Sequence, residues 1–255
     1  MGGASRRSAL GKLPPWQAGG VWELVTGGMS GARVSRRDGV YRKESDDPGI
    51  DLAGEGERLT WLREHGIPAA EVLECRPGLL VTAEVPGRSA ASPWPAESRP
   101  LIIDALADLA RALHALPVDD CPFDRTLAVT VPAALESDVD LDDLDDERLG
   151  WSREDLVAEL LATRPPDEDL VVCHGDLCLP NVVFDPTTHR VSGVLDAGLL
   201  GVADRWADLA IATRSVAGEL NPQYRPEHAD RFLARYGIAP DPVKTTFYRL
   251  LEEFS

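Results

Sequence analysis

The first third of the chain alternates short apolar runs with polar turns, a pattern typical of antiparallel strands. The runs predict five strands, at residues 21–25, 32–35, 40–43, 72–73 and 79–82. Asp38-Gly39 is a tight-hairpin dipeptide between two of these strands. Residues 55–65 carry apolar side chains at helical intervals, and Gly66 stands where a helix commonly ends. A small antiparallel sheet with one helix is therefore expected over residues 19–85.

After residue 85 the apolar spacing changes to that of helices. It predicts one helix over 101–116 and another over 203–220. A third helix is predicted after residues 152–155, which have the pattern of a capping box, and a fourth from Asp241-Pro242 onward. Residues 170–196 instead predict a strand, a loop and a second strand. A larger, mainly helical part is expected over residues 86–255, and residues 1–18, rich in Gly, Pro, Arg and Ser, predict a disordered leader.

Charge and composition exclude several classes of function. Asp and Glu outnumber Lys and Arg by 43 to 26 in this 255-residue chain, which gives a net charge of −17. A nucleic-acid binder needs a basic face, and an anionic membrane would repel this charge, so neither is an expected partner, whereas cationic ligands remain compatible with it. No apolar stretch reaches the ~20 residues of a membrane span, and residues 1–18 lack the apolar core of a secretory signal. Because the cysteines are scattered as in proteins with reduced thiols, a cytoplasmic protein is expected. A monomer or a weak dimer is expected, and the sequence does not decide between them.

The densest group of candidate catalytic residues lies where the strands near residues 170 and 194 end. His174, Asp176 and Asn181 fall in one loop, and Asp196 follows the next apolar strand. Phosphoryl transfer needs a carboxylate near the attacking hydroxyl and hard oxygen ligands for Mg²⁺. Asp176 would orient and deprotonate the hydroxyl, and Asn181 and Asp196 would hold the metal. The simpler alternative is that His174-Gly175-Asp176 only forms a turn around a buried aspartate.

These residues also carry a resemblance. The run H-G-D-L-C-L-P-N, followed by V-S-G-V-L-D-A-G-L-L-G-V-A-D-R, resembles the aminoglycoside 3′-phosphotransferases, a family of protein-kinase-like antibiotic kinases. The similarity extends from about Val21 to the final F-Y-R-L-L-E-E-F-S. It implies an α+β, bilobal, protein-kinase-like fold and ATP-dependent phosphorylation of an aminoglycoside at its 3′-hydroxyl, which confers resistance. In the family's pattern Asp176 is the catalytic base, and Asn181 and Asp196 bind magnesium.

The resemblance places the nucleotide in the amino-terminal lobe. The residues expected to contact or support ATP are Ser30 in the Gly-rich turn, Lys43, Glu55, and the backbone of Ala83 and Val85. Lys43 is one of three lysines in the chain, and its ammonium group can bind phosphate as a point charge. Two helix carboxylates, Glu55 and Glu57, could position it, but they point to different helix faces. The resemblance favours Glu55.

The acceptor site is expected among acidic residues. Residues 138–147 contain seven acids in ten positions, which fits either a solvated loop or a pocket for ammonium groups. The resemblance assigns substrate contacts to Asp143, Asp145, Asp146, Arg214, Glu252, Glu253 and the terminal carboxylate of Ser255. Leu199, Ser215 and Gly218 depart from the family's usual residues and leave the range of antibiotics open.

Three other functions remain compatible with the residues. One is a kinase for a choline-like or amino-sugar metabolite, and another is a non-catalytic nucleotide-binding module of the same fold. The third is a metal-dependent hydrolase built from His174, Asp176 and Asp196, which lacks a second nearby histidine. In the kinase hypothesis His174 braces the catalytic loop and is not the base.

Overall fold

An antiparallel five-stranded sheet and one helix form the amino-terminal part of the computed structural model, which describes residues 20–25, 31–142 and 144–254. The expected leader, residues 1–18, lies outside the described residues. The elements are β1 (Glu23–Leu24), β2 (Arg33–Arg37), β3 (Val40–Glu44), α1 (Leu52–Glu64), β4 (Val72–Arg76) and β5 (Leu79–Ala83). The strand order is β1-β2-β3-β5-β4, so the strand that carries Lys43 lies in the centre of the sheet.

Helix α1 is fixed at both ends and on one face. Asp51 caps its first turn by accepting the backbone N–H three residues on, at 2.8 Å, which starts the helix at Leu52, before the predicted Glu55. Leu59 and Leu62 are buried in the core. Gly56 allows close packing on the sheet, because a Cβ atom there would lie 2.8 Å from the Cβ of Cys75. The helix therefore has a defined position over the sheet and carries Glu55 toward β3.

The carboxy-terminal part is mainly helical, with two small antiparallel sheets. Its elements are β6 (Arg88–Ser89), α2 (Arg99–His114), α3 (Leu127–Glu136), α4 (Arg153–Thr163), β7 (Leu170–Cys173), β8 (Val182–Phe184), β9 (Val191–Val194), β10 (Gly201–Asp204), α5 (Trp206–Ala217), α6 (Pro226–Tyr236) and α7 (Pro242–Glu252). One sheet pairs β10 with β7, and the other has the order β6-β8-β9. These strands support the loops that carry the candidate catalytic residues.

The prediction of a helix over residues 203–220 is wrong at the amino-terminal end of that range. Ala203 lies in β10 and pairs with Val171 of β7. Helix α5 begins only at Trp206, whose backbone N–H is accepted by the side chain of Asp204 at 2.8 Å. The sequence analysis also missed α3 and α6. The capping box before α4 is confirmed, with reciprocal bonds between Ser152 and Asp155.

One hydrophobic core extends through both parts of the chain. Leu62 of α1, Leu106 of α2 and Phe247 of α7 are completely buried members of the same cluster. The domain boundary proposed at residue 85 separates the five-stranded sheet from the helical part but does not interrupt this packing. None of the helices in the described ranges is both long enough and apolar enough to cross a membrane.

Candidate active site

The loop between β7 and β8 carries Asp176 and is shaped by Gly175. This glycine has a φ of +86°, which favours glycine. A Cβ atom at this position would lie 2.3 Å from the backbone oxygen of Leu199, so the loop packs directly against the segment after β9. The loop then closes in a single 3₁₀ turn, Leu179–Asn181. Two strand ends thus bring the loop of Asp176 against the segment that begins with Asp196.

Asp176 and Asn181 are in direct contact. The amide nitrogen of Asn181 donates to the carboxylate of Asp176 at 2.7 Å and to its backbone oxygen at 3.1 Å. Asn181 is buried and Asp176 is half-buried. Because the amide nitrogen is used in this way, the amide oxygen is the atom that Asn181 can offer to a metal ion. The contact also orients the carboxylate expected to act as base.

Lys43 joins the sheet, α1 and the segment after β9. Its Nζ lies 2.8 Å from Glu55 Oε1 and also contacts the carboxylate of Asp196. Burial acts against the charged lysine, but the charges of Asp196 and Glu55 outweigh it, so the pKa of Lys43 is raised. Burial also raises the pKa of Glu55, against the opposing effect of Lys43. Glu57 is exposed, so Glu55 is the partner of Lys43.

The oxygen atoms of Asn181 and Asp196 suit a hard divalent cation. Asp196 has a φ of 54°, in the left-handed region, and its side chain keeps 44% of its surface exposed despite the contact with Lys43. A carboxylate and an amide oxygen, with nucleotide phosphates completing the shell, are the donors that Mg²⁺ prefers. The residues therefore fit the expected metal.

Asp208, which the motif spacing does not indicate, anchors the loop between β7 and β8 that carries Asp176, called the catalytic loop below. Asp208 is completely buried, and its carboxylate accepts the backbone N–H groups of His174 at 2.9 Å and Gly175 at 2.8 Å. His114 Nε2 lies 3.0 Å from the same carboxylate. The only signal in the sequence is an acid within the apolar run W-A-D-L-A-I-A.

His174 braces the same loop, as expected. Its Nε2 lies 3.0 Å from the backbone oxygen of Leu195, and its Nδ1 is 3.3 Å from the backbone nitrogen of Asp176. The ring therefore links the loop of Asp176 to the residue before Asp196.

The expected adenine contacts lie at the end of β5. The backbone N–H of Ala83 donates to the oxygen of Glu71 at 2.8 Å, which leaves the carbonyl of Ala83 as its candidate adenine contact. Val85 is half-buried and packs against Gly193, where a Cβ atom would lie 3.0 Å from Val85 Cγ1. Ser30 lies outside the described residues.

The predicted acceptor residues are grouped around two arginines. Arg214 Nη1 lies 2.9 Å from Asp145, and Nη2 contacts Glu252. Arg148, which the sequence analysis missed, lies 3.2 Å from Glu253, and the same glutamate oxygen accepts the backbone N–H of Asp145 at 3.2 Å. The structure thus joins the 138–147 segment to the end of α7.

The remaining predicted acceptor residues are only partly described. Asp143 and Ser255 lie outside the described residues, and Asp146 is described only through its backbone, in the 3₁₀ turn Asp146–Arg148.

The acceptor residues lie close enough to the catalytic loop to interact with it electrostatically. Burial raises the pKa of Glu252, Arg214 opposes this, and the negative charge of Asp176 adds to it. The pKa of Glu253 is likewise raised by burial and by Asp145. A cationic group bound at Glu252 would therefore lie within the electrostatic reach of Asp176.

The sequence of this chain is similar to those of known proteins. The pattern of the phosphotransferase enzyme family matches residues 21–247. The chain belongs to this family. It is 48% identical over 253 residues to an aminoglycoside 3′-phosphotransferase of Streptomyces fradiae, covering 91% of this chain and 94% of the relative. It is 41% identical over 251 residues to the streptomycin 3″-kinase of Streptomyces griseus, covering 92% of each.

Solved structures give the same assignment. The crystal structure of an aminoglycoside-3′-phosphotransferase of type VIII has a TM-score of 0.83 at 48% identity and covers 92% of this chain and 94% of that one. The aminoglycoside phosphotransferase APH(3″)-Id of Streptomyces rimosus, in complex with ADP and streptomycin, has a TM-score of 0.75 at 32% identity, with 91% and 92% covered. The expected family, the bilobal kinase-like α+β fold and the enzymatic character of this phosphotransferase are confirmed.

Proposed function

We propose that this phosphotransferase moves the γ-phosphoryl group of ATP to a hydroxyl of an aminoglycoside, the 3′-hydroxyl, and thereby confers resistance. The observation that carries the proposal is the position of Arg214, with its partners Asp145 and Glu252, beside the loop of Asp176. The next residue, Ser215, accepts the backbone N–H of Leu179 in that loop at 2.9 Å. A polycationic sugar is the ligand that clustered carboxylates favour. Relatives at 48% and 47% identity are aminoglycoside 3′-phosphotransferases.

In the proposed reaction each residue has a defined task. Lys43 binds the phosphates, and Glu55 holds the lysine in place. Asn181 and Asp196 would hold Mg²⁺, which when bound neutralises the charge of the phosphates. Asp176 accepts the proton of the sugar hydroxyl, whose oxygen forms a bond to the γ-phosphorus while the bond to the ADP oxygen breaks. Because such transfer depends mainly on positioning, the anchored loop is as important as the base. A cytoplasmic location is part of the proposal, because the donor is ATP.

The test is aminoglycoside-dependent ADP release by the purified protein across a panel of compounds. Compounds with a 3′-hydroxyl, such as kanamycin, should be phosphorylated, and analogues without it should bind and inhibit. The Asp176→Ala variant should lose about 10²–10⁴-fold in kcat, the contribution of general-base catalysis, and keep its affinity for nucleotide. Near-normal turnover of this variant would contradict the role of Asp176, and ADP release with 3′-deoxy compounds would contradict the site of transfer.

A second candidate is transfer to the 3″-hydroxyl of streptomycin. The 41% identity to the streptomycin 3″-kinase of Streptomyces griseus favours it over acceptors outside the aminoglycosides. Streptomycin in the same panel separates the two functions, and mass spectrometry of the product locates the phosphate. If no aminoglycoside stimulates ADP release, a metabolite kinase or a nucleotide-binding module would have to be reconsidered.

A further inference from the structure

The segment after β9 is held from two sides. Asp196 at its beginning contacts Lys43, which α1 holds through Glu55. Leu200 at its end accepts a hydrogen bond from Arg58 Nε, 3.1 Å away. Glu55 and Arg58 are three residues apart on α1 and therefore lie on one helix face. A single helix face thus contacts both ends of the segment.

The conformation of this segment depends on its surroundings. Asp196 adopts a left-handed backbone with a φ of 54°, a region that few residues other than glycine enter and that aspartate enters more readily than most. A single 3₁₀ turn, Ala197–Leu199, follows, and the backbone N–H of Leu200 closes it on Ala197 at 3.1 Å. Arg58 contacts the carbonyl of that same Leu200, so it fixes the turn at the end away from Asp196.

The Arg58 side chain is itself well positioned. Its guanidinium lies 4.7 Å from the ring centroid of Phe123, a cation–π contact, and its side chain is 19% exposed. Asp51, the residue that caps α1, is 4.0 Å away. Since Arg58 is oriented by these groups, little conformational freedom is lost in its bond to Leu200.

We propose that Arg58 is a positioning residue for the metal ligand Asp196. By holding the carbonyl of Leu200, Arg58 keeps the 3₁₀ turn closed and the Asp196 carboxylate directed toward the nucleotide-bound metal. The inference rests on the proposed function only in taking Asp196 as a magnesium ligand, and it is independent of which acceptor is phosphorylated. Groups that orient a metal ligand in this way commonly change metal affinity by about 10–100-fold when they are removed.

The experiment compares Arg58→Met with Arg63→Met. Arg63 is on the same helix, and its Nη1 donates to the backbone oxygen of Ala69 at 2.8 Å. Ala69 bridges to Val194 at the end of β9, so Arg63 tests whether loosening the strand before Asp196 has the same effect as losing the bond to Leu200. Affinity for a non-hydrolysable ATP analogue is measured without aminoglycoside, with and without Mg²⁺. In Arg58→Met the half-saturating Mg²⁺ concentration should rise about tenfold, while metal-free affinity stays unchanged. Arg63→Met should match the wild type in both.

Two further variants isolate the hydrogen bond. Phe123→Leu removes the cation–π contact and keeps the bond to Leu200, so its Mg²⁺ dependence should stay normal. Arg58→Lys keeps the charge near the ring and provides a test if the methionine variant does not fold, and its half-saturating Mg²⁺ concentration should also rise. An unchanged Mg²⁺ dependence in both Arg58 variants would overturn the proposal, as would an equal shift in Arg63→Met. Because these readouts need no acceptor, they stand even if every aminoglycoside fails as a substrate.

Discussion

Replacing Asp208 with asparagine removes the buried anchor of the catalytic loop. The carboxylate accepts three hydrogen bonds, from the backbone of His174 and Gly175 and from the ring of His114. An asparagine amide has one oxygen and one NH₂ group, so in either orientation a backbone N–H faces another donor. The backbone N–H and the amide NH₂ that then face each other are both left without an acceptor, which costs about 1–3 kcal/mol of unfolding free energy for each group. With two such groups and about 2–4 °C for each kcal/mol, Tm should fall by roughly 4–24 °C.

Activity should fall further than stability explains. The backbone N–H groups of His174 and Gly175, one of which loses its acceptor, directly precede Asp176, and a displacement of about 1 Å at a reacting group can reduce the rate about 10²-fold. We expect kcat of Asp208→Asn to drop at least about 10²-fold at a temperature where the variant is fully folded. The measurements are calorimetric unfolding and steady-state ADP release at that temperature.

Asp204 offers a matched control four residues earlier. It is also completely buried and accepts the backbone N–H groups of Asp169 and Trp206, both at 2.8 Å, and the ammonium of Lys244 at 2.5 Å. Asp204→Asn should lose a similar amount of stability, yet kcat should stay within about threefold of the wild type, because these bonds do not reach the loop of Asp176. An equal loss of kcat in both variants, or near-normal kcat in Asp208→Asn, would refute the reasoning.

The pH dependence gives a second check on the same carboxylate. Burial opposes ionisation, but the bonds from His114 and the loop prevail, so the pKa of Asp208 is lowered. Because its pKa is lowered, the ionised carboxylate stabilises the fold at pH values above the unfolded-state pKa of ~3.9. This contribution is lost as the pH falls through the folded-state pKa. The stability difference between wild type and Asp208→Asn should therefore be constant near neutrality and shrink below about pH 4.

Three further variants or measurements test other parts of the site. Lys43→Met should lower Tm and weaken ATP binding, and adding Glu55→Gln should restore part of the stability, because the buried glutamate then no longer lacks its cation. Glu252→Gln should lower aminoglycoside affinity about tenfold, because the amide loses the negative charge that would bind an ammonium group; titration of the aminoglycoside checks this. Iodoacetamide should label Cys178 more slowly than exposed Cys75 at pH 8, because burial and then Asp176 raise the pKa of Cys178; mass spectrometry showing equal rates would contradict this.

Local patterns predicted the amino-terminal sheet because its signals lie in adjacent residues. Asp38 and Gly39 both have positive φ angles, 51° and 74°, as the hairpin dipeptide requires. Strand β10 has no such local signal. Its backbone pairs with β7, about thirty residues earlier in the chain. The run A-D-R-W-A-D, which begins with the last two residues of β10, continues the spacing of the following helix. Only the tertiary partner distinguishes the strand from a longer helix.

The same limit applies within the site. Motif spacing indicated Asp176, Asn181 and Asp196, and in the structure Asn181 contacts Asp176 directly. The backbone oxygen of Asn181 also accepts the N–H of Leu195, the residue before Asp196, at 2.9 Å. The residues that the motifs did not indicate act through backbone groups or ion pairs from distant elements. They are Asp208 and Arg58 beside the candidate catalytic residues, and Arg148 beside Glu253. An arginine that donates to a carbonyl has the same appearance in sequence as one on the surface, so residue type alone could not indicate these roles.

The net charge of the protein and the charges at the proposed acceptor site act on a cationic ligand in different ways. A net charge of −17 attracts any polyamine over long distances and raises its association rate. At the site, however, Arg214 already occupies the space between Asp145 and Glu252 and shares both carboxylates. An incoming ammonium group must therefore bind the remaining oxygen lone pairs without displacing the guanidinium, which only certain spacings of amino groups on the sugar allow. We therefore expect the overall charge to bring cations to the protein and the arrangement around Arg214 to select those that place a hydroxyl at Asp176.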